Sequence, residues 1–146
     1  MKAFTVFQPY AFAIAVGLKE YETRSRRTHI RGRVAVHAGK KKINAQEAYM
    51  DALVEGRGNE HAYHLCRTHR PEEYGAVIGT VEIVDCVPVE EIVNSISPLE
   101  RALGDYSPGR FAWVLKNPIM FPKPIPARGN QGWWNWEEPA EGGETS

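Results

Sequence analysis

Residues 8–42 read QPYAFAIAVGLKEYETRSRRTHIRGRVAVHAGKKK, and the rest of the chain takes its meaning from them. Pro9 ends an alternating segment at residues 2–7 that suits a strand. Proline has no N–H to give a ladder but is tolerated in a first helical turn. Tyr10, Ile14 and Leu18 then fall at i, i+4 and i+8, with Phe12, Ala13 and Val16 thickening the apolar side. That spacing predicts a short helix over residues 10–18, with Gly17 free to turn the chain near its end. Residues 18–23 read as an extended edge leading to Arg24, Arg31-Gly32 as a turn, and residues 33–38 as a buried strand of small and β-branched residues. Nine Lys/Arg lie in this stretch, ten with Lys2, against Glu20 and Glu22, while the whole chain balances 18 basic against 18 acidic residues. A local cationic field in a neutral molecule either faces an anionic partner or is met by acids folded against it from elsewhere in the chain.

Working outward, 146 residues with 42% hydrophobic and 25% charged content predict one globular domain. It is expected to span residues 1–136, followed by an acidic, flexible tail at 137–146 that lacks bulky side chains. No apolar run approaches the ~20 residues of a membrane span, and no secretory leader is visible, so the expectation is a soluble cytoplasmic protein. Cys66 and Cys86 do not make a disulfide framework, and Cys86 sits in an apolar pattern as a core residue. His61, His64 and Cys66 match no zinc spacing. Neither a metal nor a cofactor is predicted.

Downstream, residues 44–53 and 60–68 read as helical around a turn at 56–59. Residues 75–89, GAVIGTVEIVDCVPV, form the clearest strand, with Gly79 as a bulge or close approach. Residues 90–103 read as short helical turns split by Pro98, and residues 110–115 as another strand. The four prolines between 117 and 126 predict an ordered extended loop rather than a central strand. Residues 128–132 turn the chain, and Trp133-Trp134-Asn135-Trp136 closes the domain. Strands joined by irregular connections and few helices predict an α+β mixed β-barrel.

These residues resemble the ASCH (activating signal cointegrator homology) domain family. Its GxKxxExR signature stands here as Gly17, Lys19, Glu22 and Arg24, preceded by the Gln-Pro-aromatic-Ala element as Gln8-Pro9-Tyr10-Ala11. Arg31-Gly32, residues 34–40, GAVIGTVEIVDC, GRFAWVLKNP and PARGNQGWW follow in the family's order. The resemblance implies a PUA-like fold, a mixed β-barrel with flanking helices around a basic cleft, related to domains that bind RNA or modified bases. It also implies roles in nucleic-acid binding and transcription coactivation, and, among small bacterial relatives, hydrolysis of N4-acylated cytidine or of RNA. Two departures bear on this. The cytidine amidohydrolases carry threonine where this chain has Glu22, so that nucleophile is missing. Arg26 stands where many ASCH domains place tryptophan, which exchanges stacking for positive charge.

The expected ligand contacts are Gln8, Tyr10, Lys19, Glu22, Arg24, Arg26, Lys40, Gly129, Gln131 and Trp134. Arg24 and Lys19 suit phosphate, and Glu22 suits either Lys19 or a base amino group. A salt-bridge cluster that fixes the strand to the barrel explains the same three side chains equally. Arg26, Arg27, Arg31, Arg33 and Lys40 to Lys42 read as a polyanion surface or as a solvated face. Tyr10, Tyr21 and the tryptophans offer stacking platforms, whereas Trp113 reads as core. His37 ends a buried strand with no nucleophile forced beside it by the sequence, and reads as a satisfied core histidine. The function expected is binding of RNA, another nucleic acid or a nucleoside-like molecule, with no membrane partner. The alternatives are a hydrolase with Lys19 and Glu22 as catalytic acid and base, and a protein-interaction module.

Overall fold

A computed structural model of the chain describes residues 1–41 and 73–139. The helices and turn expected between 44 and 68, Lys42, His61, His64, Cys66, His69 and residues 140–146 of the tail lie outside the described residues. The elements are β1 (Lys2–Val6), α1 (Tyr10–Ala15), β2 (Tyr21–Arg24), β3 (Gly32–Ala38), β4 (Ala76–Pro88), a 3-10 turn (Val89–Glu91), α2 (Pro98–Ala102), β5 (Phe111–Pro126) and β6 (Trp134–Asn135). As expected, Pro98 separates short helical turns, and it opens α2 with the Ser97 side chain accepting from the Glu100 N–H as its cap.

Six strands form one mixed sheet in the order β2-β5-β4-β3-β1-β6. β1 and β3 pair in parallel, with Thr5 opposite His37, and β1–β6, β2–β5, β3–β4 and β4–β5 are antiparallel. Among the described residues the ladder does not close, β2 and β6 being its edges, and the expected α+β fold takes the form of a barrel-like curled sheet. Side chains bring its ends together. Phe4 of β1 lies 5.7 Å edge-on from Trp113 of β5, although β3 and β4 separate those strands. Trp133, just before β6, stacks on Trp113 at 5.1 Å.

The concave face is filled by α1. Its sequence YAFAIA is apolar all round, and Ala11, Phe12, Ala13, Ile14 and Ala15 are all buried, as expected of a helix without a polar face. It packs on β3, β4 and β5. The core joins Phe4, Phe12, Ile14, Val36, Ile78, Ile83 and Trp113 with Cys86, the buried thiol expected of that strand.

One expectation is corrected. Residues 117–126 are not a loop but the second half of β5, paired with β4 through Thr80↔Ile119, Gly79↔Met120, Val77↔Ile125 and Ala76↔Pro126. Two features make the prolines compatible with a strand. β2 pairs only with residues 111–114 of β5, so the later half is a sheet edge. Pro118, Pro122 and Pro124 also fall where the register shifts, between paired positions, so the ladder does not need their missing N–H groups. Gly79 is a true close approach, since a Cβ there would lie 2.2 Å from the Ile119 carbonyl oxygen.

Candidate functional site

The signature residues are assembled by a turn and a short strand. Gly17, at φ +85°, swings the chain out of α1, and the Leu18 and Lys19 N–H groups both donate to the Ala13 carbonyl at 2.9 Å. Lys19 therefore precedes β2 and escapes strand alternation, which would have placed it on the opposite face from Glu22. It is 3% exposed. Its Nζ donates to the Leu103 carbonyl at 2.7 Å and lies 3.8 Å from Glu22 Oε1. Burial lowers the Lys19 pKa, against the opposing pull of Glu22 and Glu100.

Arg24 grips the other side of Glu22: Nε and Nη2 both approach Oε2 at 2.8 Å. Nη2 also donates to the Thr5 carbonyl at 3.0 Å, which ties β2 to β1 across the gap in the sheet. The guanidinium carbon lies 5.3 Å from the Trp113 ring and 5.8 Å from that of Phe4. One carboxylate thus stands between two basic side chains, held closely by Arg24 and at a distance by Lys19.

Two cavities open beside this trio. The narrower, about 580 Å³, is walled by Tyr10, Lys19, Glu22, Thr23, Arg24, residues 102–105 and Arg110. The wider, about 1250 Å³, is walled by Arg24, His37, Gly39, Lys40, Lys41, Gly75 and residues 126–132. Thr5, Phe7 and Arg24 line both, so the two are lobes of one cleft with Arg24 at its waist. The narrower lobe mixes signs, with Glu22 and Asp105 against Lys19, Arg24 and Arg110. Among the described residues, the wider lobe is lined by Arg24, Lys40, Lys41 and Arg128 and by no carboxylate.

The expected contacts divide accordingly. Tyr10, Lys19, Glu22 and Arg24 meet in the narrower lobe; Lys40, Gly129 and Gln131 meet Arg24 in the wider. Gln8 lines neither. It is 2% exposed, its Oε1 accepts from the Phe12 N–H at 2.9 Å, and its Nε2 donates to the Glu73 carbonyl at 2.8 Å. Trp134 stands behind the wider lobe, donating from Nε1 to Thr5 Oγ1 at 3.3 Å and meeting His37 edge-on at 5.4 Å. Arg26 is exposed and lines neither lobe. The cationic field itself splits: Arg31 faces Asp85 at 3.8 Å, and Arg33 donates to Thr80 Oγ1 and the Asn117 carbonyl.

Several residues at the cleft were not singled out from the sequence. Phe7 is 44% exposed at the waist, and its position directly before Gln8-Pro9, at the end of an alternating strand, was the available signal. Arg128 carried only its charge, while Lys41 had been read, with Lys40, as part of the polyanion surface. Thr5 and His37 gave no joint signal. Behind the narrower lobe, Glu100 is 4% exposed. Its Oε1 accepts from the Glu20 N–H at 2.7 Å, while its Oε2 and the Tyr106 hydroxyl are buried without a hydrogen-bond partner among the described residues. Burial raises the Glu100 pKa, against the Glu20 N–H and Lys19; burial and then the Glu100 charge raise that of Tyr106.

His37 is the satisfied histidine that the sequence suggested, 2% exposed with a partner at each ring nitrogen. Nε2 lies 2.7 Å from the Ala127 carbonyl, which only accepts, so Nε2 carries the hydrogen and Nδ1 presents its lone pair to Thr5 Oγ1 at 3.2 Å. Burial lowers the His37 pKa, which favours this neutral form.

The family model for the ASCH domain matches residues 4–125. Activating signal cointegrator 1 of Homo sapiens is 28% identical over 135 residues, 89% of this chain and 21% of that protein. The Mus musculus protein of the same name is 27% identical over the same coverage. The chain thus spans about a fifth of the length of these relatives. Among solved structures, ASCH from Zymomonas mobilis aligns with a TM-score of 0.53 at 16% identity, covering 94% of this chain and 87% of that one. A tyrosine-to-phenylalanine mutant of the same Zymomonas mobilis protein aligns with 0.54 at 15% identity, covering 99% and 94%. At such identities these structures speak for the fold alone. With the family model running from β1 almost to the end of β5, the chain belongs to the ASCH domain family.

Proposed function

We propose that this domain binds single-stranded nucleic acid, RNA in the first instance, with the strand's phosphates in the wider lobe of the cleft and a base or nucleoside in the narrower one. The observation that carries this reading is the lining of the wider lobe, which holds Arg24, Lys40, Lys41 and Arg128 and no carboxylate among the described residues, Glu22 reaching Arg24 from the narrower lobe, in a molecule whose net charge is zero. Phosphates answer that pattern. Phe7, exposed at the waist between the lobes, supplies an aromatic face for a base, worth about 1–3 kcal/mol. Tyr10 and Lys19 to Arg24 then present hydrogen-bonding groups of both signs to whatever enters the narrower lobe.

The test is a fluorescence-anisotropy titration of a labelled single-stranded RNA between about 50 and 200 mM salt. Removing one phosphate contact flattens the slope of log K against log salt by about 0.7 for a single strand. Lys40→Ala and Arg128→Ala are each expected to do so, and Phe7→Ala to weaken binding by about tenfold or more while leaving the slope alone. An affinity and a slope both unchanged in the Lys40→Ala/Arg128→Ala double variant would sink the proposal.

A second reading, a hydrolase with Lys19 and Glu22 as acid and base, draws support from one feature. Lys19 is a buried lysine of lowered pKa beside a carboxylate on a cavity wall, a combination typical of catalytic sites. It predicts turnover of RNA or N4-acetylcytidine that Glu22→Gln abolishes. Turnover equal in both proteins would remove Glu22 from the chemistry.

A further inference from the structure

Among the described residues, β2 and β6 leave a gap in the sheet, and residues 25–31 run along it. They start from Arg24, which is bound to the Thr5 carbonyl, and end at Gly32, five residues before His37, the residue opposite Thr5. Five residues of strand span about 16 Å. The segment belongs to no helix or strand, yet both sides of the gap hold it. Trp113 of β5 donates from Nε1 to the Arg26 carbonyl at 3.4 Å, and Trp133, just before β6, donates to Thr28 Oγ1 at 3.2 Å. Thr28 is 4% exposed, its Oγ1 also accepts from the Ile30 N–H at 3.1 Å, and Ile30 packs against the core. With those two side chains turned in, Arg26, Arg27, His29 and Arg31 are exposed.

These cations are not equally committed. Arg31 donates to the Thr28 and Ile30 carbonyls and faces Asp85 at 3.8 Å. Arg27 lies 4.9 Å from the centre of the Phe111 ring, a contact that steadies the guanidinium and leaves its N–H groups free to donate. The Arg26 guanidinium has no partner among the described residues. Both arginines sit next to the cleft. Arg24, at its waist, is two residues before Arg26, and Gln131 and Gly132, which wall the wider lobe, lead directly into Trp133. A strand that leaves the wider lobe past Gly132 comes onto two uncommitted arginines on a fixed backbone.

We propose that residues 25–31 extend the nucleic-acid site, with Arg26 and Arg27 taking successive phosphates of a single strand as it leaves the wider lobe. The proposal rests on the nucleic-acid reading above and adds to it a path and a length: the cleft holds the first nucleotides and the seam the next ones. Guanidinium forks suit phosphate oxygens, and contacts to phosphate alone add affinity without choosing a sequence.

The experiment titrates the full chain into labelled oligouridines of about 4 and about 12 nucleotides, lengths within the range that single-strand folds engage, between about 50 and 200 mM salt. The longer strand is expected to show a slope of log K against log salt steeper by about 1.4, two further phosphate contacts at about 0.7 each. Arg26→Ala/Arg27→Ala is expected to remove that excess from the longer strand and to leave the shorter one within about twofold of wild type. Arg26→Lys/Arg27→Lys, which keeps both charges, is expected to retain most of the excess. Equal slopes for the two strands on wild type would overturn the seam and leave the cleft reading standing, and so would an undiminished excess in the alanine variant. If the alanine variant loses both strands alike, the lysine variant decides: a retained excess supports the seam, and its absence overturns it. Binding of neither strand by wild type would overturn both readings.

Discussion

At Glu22 two cations compete for one carboxylate, and distances decide between them. Arg24 reaches it with two N–H groups at 2.8 Å, whereas Lys19 stands off at 3.8 Å, so the pair with Arg24 dominates and Lys19 is left with the Leu103 carbonyl as its nearest partner. Behind Lys19 the second carboxylate is in a poorer position. Glu100 has one oxygen satisfied by the Glu20 N–H and one without a partner among the described residues, and burial raises its pKa above the ordinary 4.5. The folded chain then holds a proton that the unfolded chain releases. The resulting stabilisation is complete below about pH 4.5 and is lost as pH rises through the raised folded value. Glu100→Gln cannot ionise, so it is expected to gain on wild type as pH climbs from 4.5, by at most about 1.4 kcal/mol per unit within that window. Urea denaturation of both proteins at pH 4, 5, 6 and 7 measures the gap. His37, whose lowered pKa acts in the opposite sense, is common to both proteins and cancels. A gap that stays constant across the series would show that Glu100 ionises as it does in the unfolded chain.

Elements differed in how plainly the sequence announced them, and the difference follows from what each depends on. α1, β3 and β4 answer to local pattern: YAFAIA is apolar throughout, GRVAVHA is small and β-branched, and the run from Ala76 to Pro88 is apolar and β-branched for most of its length. The second half of β5 does not, because a proline's cost in a strand depends on whether its other edge is paired, and that is settled by β2 beginning only at Tyr21, opposite Val114. The site divides in the same way. Glu22 and Arg24 share a face by alternation, whereas Lys19 was grouped with them by the family resemblance rather than by spacing; Thr5 and His37 meet only through a parallel register, which spacing does not encode. Gly79 was legible as a special position, and its reason is now specific. Gly79→Ala would drive a methyl to 2.2 Å from the Ile119 carbonyl oxygen, a clash with backbone that no rotamer relieves. The expected cost is about 3 kcal/mol, which at this size lowers Tm by about 6–12 °C. An unchanged melting curve would mean that β4 and β5 separate more easily here than their pairing implies.

At the scale of the whole molecule, a sheet that among the described residues has two open edges has to stay curled without a ladder to close it. Three side-chain contacts do this: Arg24 to the Thr5 carbonyl, Phe4 against Trp113, and Trp133 stacked on Trp113 at 5.1 Å with its Nε1 donating to Thr28 Oγ1 at 3.2 Å. The same contacts shape the cleft, because Arg24 is both a rivet and the waist between the lobes. Stability and ligand affinity should therefore fall together when the curl is loosened, unlike the effect of removing a rim cation. Trp133→Ala takes away the indole that reaches from β6 to β5 and leaves Arg24, Lys40 and Arg128 in place. The expected loss is about 3 kcal/mol in urea denaturation, the low end for a tryptophan truncation because this indole is only partly buried. RNA affinity should weaken at every salt concentration with the slope retained, since no phosphate contact is deleted. Trp133→Phe keeps an aromatic face on Trp113 and should recover most of both. If Trp133→Ala lost stability but bound RNA as tightly as wild type, the cleft would be held by Arg24 and Phe4 alone, and the tryptophan stack would belong to the fold rather than to the site.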